Sequence, residues 1–163
     1  MHAPPMELRH VSHRYRAADR LALDDVNLTI GQGEFVAIVG PSGSGKSTLL
    51  NVLGLLERPT DGTHLVRGDD VNAMSEARRD RLRGHDFGFI FQSANVLGDE
   101  SVETNAGLGL AIQGVPRKER TEPVATALDR VGLGHITGQA ARLLSGGERQ
   151  RLAVARALVS EPA

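Results

Sequence analysis

The chain has no cysteine and no tryptophan, and only one tyrosine and four phenylalanines among its 163 residues. Without cysteine there is no disulfide framework and no thiolate metal site, a composition that suits a reducing compartment. Lysine is scarce, present only as Lys46 and Lys118, while arginine is common. The formal net charge of −1 gives no electrostatic basis for binding nucleic acid, and none is expected. No apolar run approaches the ~18 residues of a membrane helix. The opening Met-His-Ala-Pro-Pro-Met-Glu lacks the basic and apolar regions of a signal peptide, so membrane association is expected only through a partner. What is present, 40% hydrophobic and 24% charged residues, is ordinary for about one globular domain.

The most informative stretch is Gly40-Pro41-Ser42-Gly43-Ser44-Gly45-Lys46-Ser47-Thr48. The run before it, 35–39, is short and rich in β-branched and aromatic residues, which predicts a buried strand. In the run after it, Leu49, Leu53 and Leu56 fall at i, i+4 and i+7, which predicts a helix with a buried face. Strand, glycine-rich turn and helix are the context that the pattern G-x-x-x-x-G-K-[ST] needs. Glycines at 40, 43 and 45 allow positive φ and close approach of backbone to a ligand. Successive N–H groups then form a nest for phosphate oxygens, and the helix adds the positive end of its dipole. Lys46 would place a cation on the β- and γ-phosphates, Ser47 a hydroxyl on Mg²⁺, and Thr48 would support the α/β region. The pattern implies a nucleoside triphosphate and leaves its use open.

Residues 6–16 alternate roughly between apolar and polar, as in a half-buried strand. Tyr15 within them is either an amphipathic sheet-edge residue or a stacking platform for a purine; spacing alone does not decide. Residues 21–30 predict a second strand, with Val26, Leu28 and Ile30 on one face, and 31–34 a turn. The stretch 59–62 reads as a turn, 64–67 as a short strand closed by 68–70. Ser75 would cap a basic helix to about Arg83, with Arg78, Arg79, Arg81 and Arg83 as a solvated face. Phe87 to Phe91 predicts a third apolar strand running into Gln92, and a polar residue at such a strand end lies where α/β sheets bind ligands. The glycine-rich stretch 95–114 predicts one helix near 101–113. Thr121 would cap a helix starting near Pro123, with Val124, Leu128 and Val131 buried and Gly132 and Gly134 ending it.

The second informative stretch is Leu144-Ser145-Gly146-Gly147-Glu148-Arg149-Gln150. Ser145 three residues before Glu148 is a capping box, and Leu152, Ala155 and Val159 give the following helix an apolar face. Neither feature accounts for consecutive glycines at the first two helical positions, where they cost helix propensity. Bare N–H groups there form another anion-binding arrangement.

A phosphate loop, a strand ending Phe-Gln, and L-S-G-G-E before an Arg/Gln-rich helix, in that order, resemble the ATP-binding cassette (ABC) transporter ATPases, from about Met6 to Pro162. The runs 35–51 and 143–151 are most similar to the lipoprotein-release and macrolide-export subgroup, with the cell-division ATPase subunits close by. L-S-G-G-E and Gln92 argue against another P-loop enzyme such as a kinase or GTPase.

The resemblance implies an α/β fold of the P-loop NTPase type: a RecA-like core with an N-terminal antiparallel β-subdomain and an inserted helical subdomain. It implies one domain over 1–163, divided into 6–93 (β-subdomain and core), 94–143 (helical subdomain) and 144–163 (signature motif and following helix). It makes ATP and Mg²⁺ the cofactors. Tyr15 matches the adenine-stacking aromatic, and Gly40, Pro41, Ser42, Gly43, Ser44, Gly45, Lys46, Ser47 and Thr48 match the Walker A loop. Gln92 matches the glutamine that contacts Mg²⁺ and the attacking water. Ser145, Gly146, Gly147 and Glu148 match the signature motif, which covers the ATP of a second subunit when two cassettes close head-to-tail. The expected partners are that second subunit and transmembrane permease subunits, on the cytoplasmic face of the membrane.

Two departures accompany the likeness. Residues 94–110 lack the subgroup's aromatic at 94 and its prolines near 98 and 109, which bears on the partner-facing surface. The sequence also stops at Ser160-Glu161-Pro162-Ala163, where the family continues into a strand carrying the Mg²⁺-binding aspartate and the water-orienting glutamate. All six histidines (2, 10, 13, 64, 85 and 135) precede the signature, so none replaces the family's switch histidine. The expectation is a fragment or truncated product that hydrolyses ATP poorly on its own. The alternative is a module that binds ATP and dimerises without hydrolysis.

Overall fold

The computed structural model describes residues 3–16 and 19–162; His2 and Ala163, named above, lie outside them. The chain divides into two compact units, Met1–Arg79 and Asp80–Ala163, each with its own core.

The first unit is built on strands β1 (Met6–His13) and β2 (Leu23–Ile30), helix α1 (Lys46–Leu53), and strands β3 (Asp61–Val66) and β4 (Asp69–Asp70). The sheet order is β2-β1-β3-β4, antiparallel throughout. The two expected strands are present, β1 with Leu8, Val11 and His13 inward, and β2 with Val26, Leu28 and Ile30 on one half-buried face. β3 begins three residues earlier than expected, its Asp61 already paired with Ser12 of β1; at Gly62, φ 85, a Cβ would stand 2.2 Å from the His10 carbonyl oxygen, so only glycine fits. Arg67 and Gly68, both at positive φ, make the two-residue turn into β4. One sheet face and α1 share a core of Leu8, Val11, Leu23, Val52 and Leu53. Leu56 departs from the expected face: α1 stops at Leu53, and Leu55, at φ 59, is fully buried in its place.

The segment 35–39, expected as a buried strand, is not one. Among the described residues it pairs with no strand, and Phe35 and Val39 are 94% and 87% exposed, with Ile38 alone packed on the core. A run of this composition forms a strand only where neighbours satisfy its backbone and cover its faces.

Helix α2 (Glu76–Asp86) starts in the first unit, with the Arg78 N–H on Ser75 Oγ as expected for the cap. Arg79 corrects the expectation of a solvated basic face: it is 4% exposed, and its Nη2 donates to the carbonyls of Leu55 (3.1 Å) and Glu57 (3.3 Å). A guanidinium thus caps the chain leaving α1, where free carbonyls need donors.

His64 on β3 is 1% exposed. Burial first, then the Arg79 charge, lower its pKa to about 4, with Asp70 opposing. The imidazole is therefore buried neutral. As pH falls from 6.5 towards 4, the unfolded chain takes up a proton that the native chain refuses. The contribution of His64 is complete above pH 6.5 and is lost towards the folded value, to about 3 kcal/mol in all. Urea titrations at stepped pH should show this loss in the native chain and its absence in His64→Gln; equal slopes would refute it.

The second unit contains α3 (Val102–Ala106), α4 (Leu108–Ile112), α5 (Arg117–Arg130) and α6 (Gly146–Leu158). Their core holds Val102, Leu110, Val124, Leu128, Leu133, Leu144, Leu152 and Val159. The single helix expected near 101–113 is two, broken at Gly107, where a Cβ would stand 3.2 Å from Val124 Cγ2 and 3.4 Å from the Glu103 carbonyl oxygen. α5 begins at Arg117 rather than near Pro123, with Pro123 inside it. Burial of Val124, Ala127 and Leu128 outweighs the backbone hydrogen bond that the proline removes. The run 87–91 has its three phenylalanine rings stacked in series at 6.2 and 5.8 Å, but it too is not a strand and has no strand partner among the described residues.

Candidate functional site

The glycine-rich turn has the geometry its residues require. Gly40, Gly43 and Gly45 all have positive φ, and Gly45 is the N-cap of α1 in the left-handed region. Lys46 is the first helical residue, and its Nζ donates to the carbonyls of Pro41 (2.6 Å) and Gly40 (2.9 Å). The ammonium is thereby folded over the turn. An arriving phosphate oxygen would exchange a neutral acceptor for a charged one, the stronger partner for a cation. Ser47, the next residue, is exposed on the first turn.

Tyr15 is 41% exposed and held at its hydroxyl. Its oxygen lies 3.1 Å from Thr48 Oγ1 and donates to Glu57 Oε2 at 2.9 Å. The Thr48 hydroxyl expected to support phosphate is therefore taken up by Tyr15 here. The His13 ring meets Tyr15 nearly at right angles, 4.7 Å between centroids. The structure thus brings Tyr15 to the glycine-rich turn and its helix. Glu57, which makes the junction, had no local signal in the sequence, since an acidic residue after a helix is common.

In the second unit, Ser145 caps α6. Its Oγ receives the Glu148 N–H, and Glu148 Oε2 accepts both the Ser145 N–H (2.8 Å) and the Ser145 hydroxyl (2.7 Å). The Ser145 hydroxyl, chiefly, and then its N–H hold the Glu148 carboxyl below its usual range. The expected capping box and the buried Leu152, Ala155 and Val159 are all present. A Cβ at Gly146 would meet nothing within 4 Å, and one at Gly147 only Arg151 Nη1 at 3.8 Å. These glycines serve no packing need of their own chain, and they leave two helix-terminal N–H groups open to an anion.

Gln92 is exposed, and the backbone that follows it is tied to α6. Arg156 donates to the carbonyls of Ala94 (2.7 Å) and Asn95 (2.8 Å), and burial lowers its pKa. Buried Asn105 fastens the next turn through the Leu97 N–H and carbonyl. These two clamps, absent from the sequence reading, explain how a weakly patterned stretch is ordered. Ser47, in the first unit, offers a hydroxyl of the kind Mg²⁺ takes beside water and phosphate oxygens, and Gln92, in the second, an amide oxygen. No cluster of three acidic or histidine side chains that could hold a metal occurs among the described residues. No helix among them is long and apolar enough to cross a membrane.

The family model for ABC transporters matches residues 23–163. The macrolide export ATP-binding/permease protein MacB of Hyphomonas neptunium is 46% identical over 163 residues, 99% of this chain and 25% of that protein. The lipoprotein-releasing system ATP-binding protein LolD of Shewanella denitrificans is 44% identical over 90% of this chain and 63% of that protein. The chain thus spans a quarter of the one relative and under two thirds of the other. Among solved structures, the dimeric bacterial ABC transporter cassette MJ0796 superposes with a TM-score of 0.87 at 34% identity, over 96% of this chain and 70% of that one. The same cassette in a dimeric post-hydrolysis state, bound to ADP and Pi, gives 0.86. Together with the glycine-rich turn, these define the class, an α/β P-loop NTPase fold of the cassette type. The chain belongs to the ABC transporter family.

Proposed function

We propose that this chain is the ATP-binding part of an ABC transporter, in which ATP binding and hydrolysis drive export or lipoprotein release through transmembrane permease subunits at the cytoplasmic face. The observation that carries this is the Lys46 ammonium folded onto the Gly40 and Pro41 carbonyls at the N-terminus of α1. Gly40 to Thr48 cradle the triphosphate, with Lys46 on the β- and γ-phosphates. Tyr15 stacks on the adenine. Mg²⁺, held by Ser47 and Gln92, would neutralise charge developing on the γ-phosphate. Gln92 orients water, and the loop carrying it, fastened through Arg156, faces the permease together with the helices of 94–143. Ser145, Gly146, Gly147 and Glu148 complete the site of a second cassette in a head-to-tail dimer, whose existence in MJ0796 supports the reading.

Calorimetric titration with Mg-ATP tests it. Lys46→Ala should weaken binding by roughly tenfold or more, the scale of a hydrogen bond to a charged group, with an unchanged far-UV spectrum. Equal affinity in the two proteins would refute the assignment.

A further inference from the structure

We propose that Glu57 is a positioning residue for the nucleotide base: it fixes the Tyr15 ring, and through Thr48 it joins that ring to the helix that carries the phosphate-binding turn. This rests on the reading of Tyr15 as the base platform.

The hydrogen-bond directions follow from the groups. A carboxylate only accepts, so the Tyr15 hydroxyl spends its one proton on Glu57 Oε2 at 2.9 Å. The Thr48 hydroxyl must then donate to the Tyr15 oxygen across their 3.1 Å. Asn51 Nδ2, one turn further along α1, donates to Glu57 Oε1 at 3.1 Å. His13 closes the other side. Its Nδ1 donates to the Arg58 carbonyl at 3.1 Å, while its Nε2 faces Glu57 Oε2 at 3.3 Å and its ring stands against Tyr15. Glu57 is thus held from α1 by Asn51, and it holds in turn the hydroxyl end of Tyr15. The ring is set by the perpendicular His13 ring and by the bonds at its oxygen, and part of it remains exposed. A platform so held presents its face without first losing rotamer freedom, which is how preorganisation raises affinity.

The consequence is selective. Losing Glu57 releases the ring and should weaken contacts to the base, while the phosphate-binding turn keeps its own glycines and Lys46. Two probes separate these, Mg-ATP and inorganic tripolyphosphate with Mg²⁺, which has the phosphates and no base. Glu57→Ala is expected to weaken ATP by roughly tenfold, the scale of one hydrogen bond to a charged group, and tripolyphosphate by less than about twofold. Tyr15→Phe should do the same, and the double variant no more than either alone, because both remove one interaction. Glu57→Gln keeps an acceptor for the phenol and should fall between. The chain has one tyrosine and no tryptophan, so its emission reports Tyr15 alone. Emission should rise in Glu57→Ala, since a carboxylate acceptor quenches a phenol.

Equal weakening of both probes by Glu57→Ala would overturn the proposal and make Glu57 a support of the phosphate-binding turn. Additive losses, or unchanged emission, would overturn it too. If Tyr15→Ala leaves the preference for ATP over tripolyphosphate unchanged, the base platform itself is refuted and the proposal falls with it. That outcome differs from the others in not involving Glu57.

Discussion

Gly45→Ala is expected to destabilise the unit Met1–Arg79 by about 3 kcal/mol or more and to abolish nucleotide binding with it. Two costs add at this position. Gly45 has φ 86, where an L-residue pays roughly 1–2 kcal/mol. A Cβ built there would also stand 2.2 Å from the Ala22 carbonyl oxygen and 3.3 Å from Leu23 Cδ2. Backbone atoms leading into β2 cannot yield as the end of a flexible side chain can, so the turn has to move. Gly45 is the N-cap of α1, and Lys46 and Ser47 follow it directly, so movement there carries the ammonium and hydroxyl away from the phosphates. Gly43→Ala is the internal comparison, with a similar φ of 77 but nothing within 4 Å. It should lose only the roughly 1–2 kcal/mol of its φ and retain binding. Urea unfolding of the two variants, with ATP titrations, tests the contrast. Equal losses would mean that the approach of Ala22 is not what requires glycine at position 45.

Gly147→Ala should have the opposite profile, a protein no less stable whose ATP-induced association falls roughly a hundredfold. Within the chain a methyl group at this position meets only Arg151 Nη1 at 3.8 Å, an ordinary contact. The φ of Gly147 is not in the left-handed region, and alanine is the better helix former, so stability should hold or rise by up to about 1 kcal/mol. The loss would arise only when a phosphate of the facing cassette approaches the N–H groups of α6. There a methyl group would hold the anion away from donors worth roughly 1.5–3 kcal/mol each. Light scattering of the native and variant chains at saturating Mg-ATP, beside their urea curves, separates the two effects. A variant that associates normally but unfolds more easily would show that the glycine serves its own helix, and would remove the signature motif from the dimer reading.

The two glycine positions illustrate where the sequence is explicit. The turn at 40–48 and the cap at 145–148 are local devices. Spacing, residue type and chirality specify them within one helical turn, and both have the expected geometry. The alternation along β1 and β2 and the buried Val124 and Leu128 were legible for the same reason: periodicity is carried by the residues themselves.

Other features depended on residues distant in the chain. The runs 35–39 and 87–91 have strand composition, and the second even aligns three phenylalanine rings as a strand would. A strand nevertheless exists only with a neighbour, and none pairs with either run among the described residues. Arg79 read as one of several surface cations until the carbonyls of Leu55 and Glu57 gave it a buried place. Pro123 read as a helix start until the packing of Val124 and Leu128 carried α5 through it. Tyr15 stood between an edge residue and a platform, and its hold by Glu57 and Thr48 joins residues far apart in the chain. By itself, then, the sequence determined the glycine-rich turn at 40–48, the cap at 145–148 and the family, because each is written in consecutive residues. The tertiary structure alone decided which apolar runs are strands, which arginine is buried and what holds Tyr15, because those depend on partners that no local pattern names.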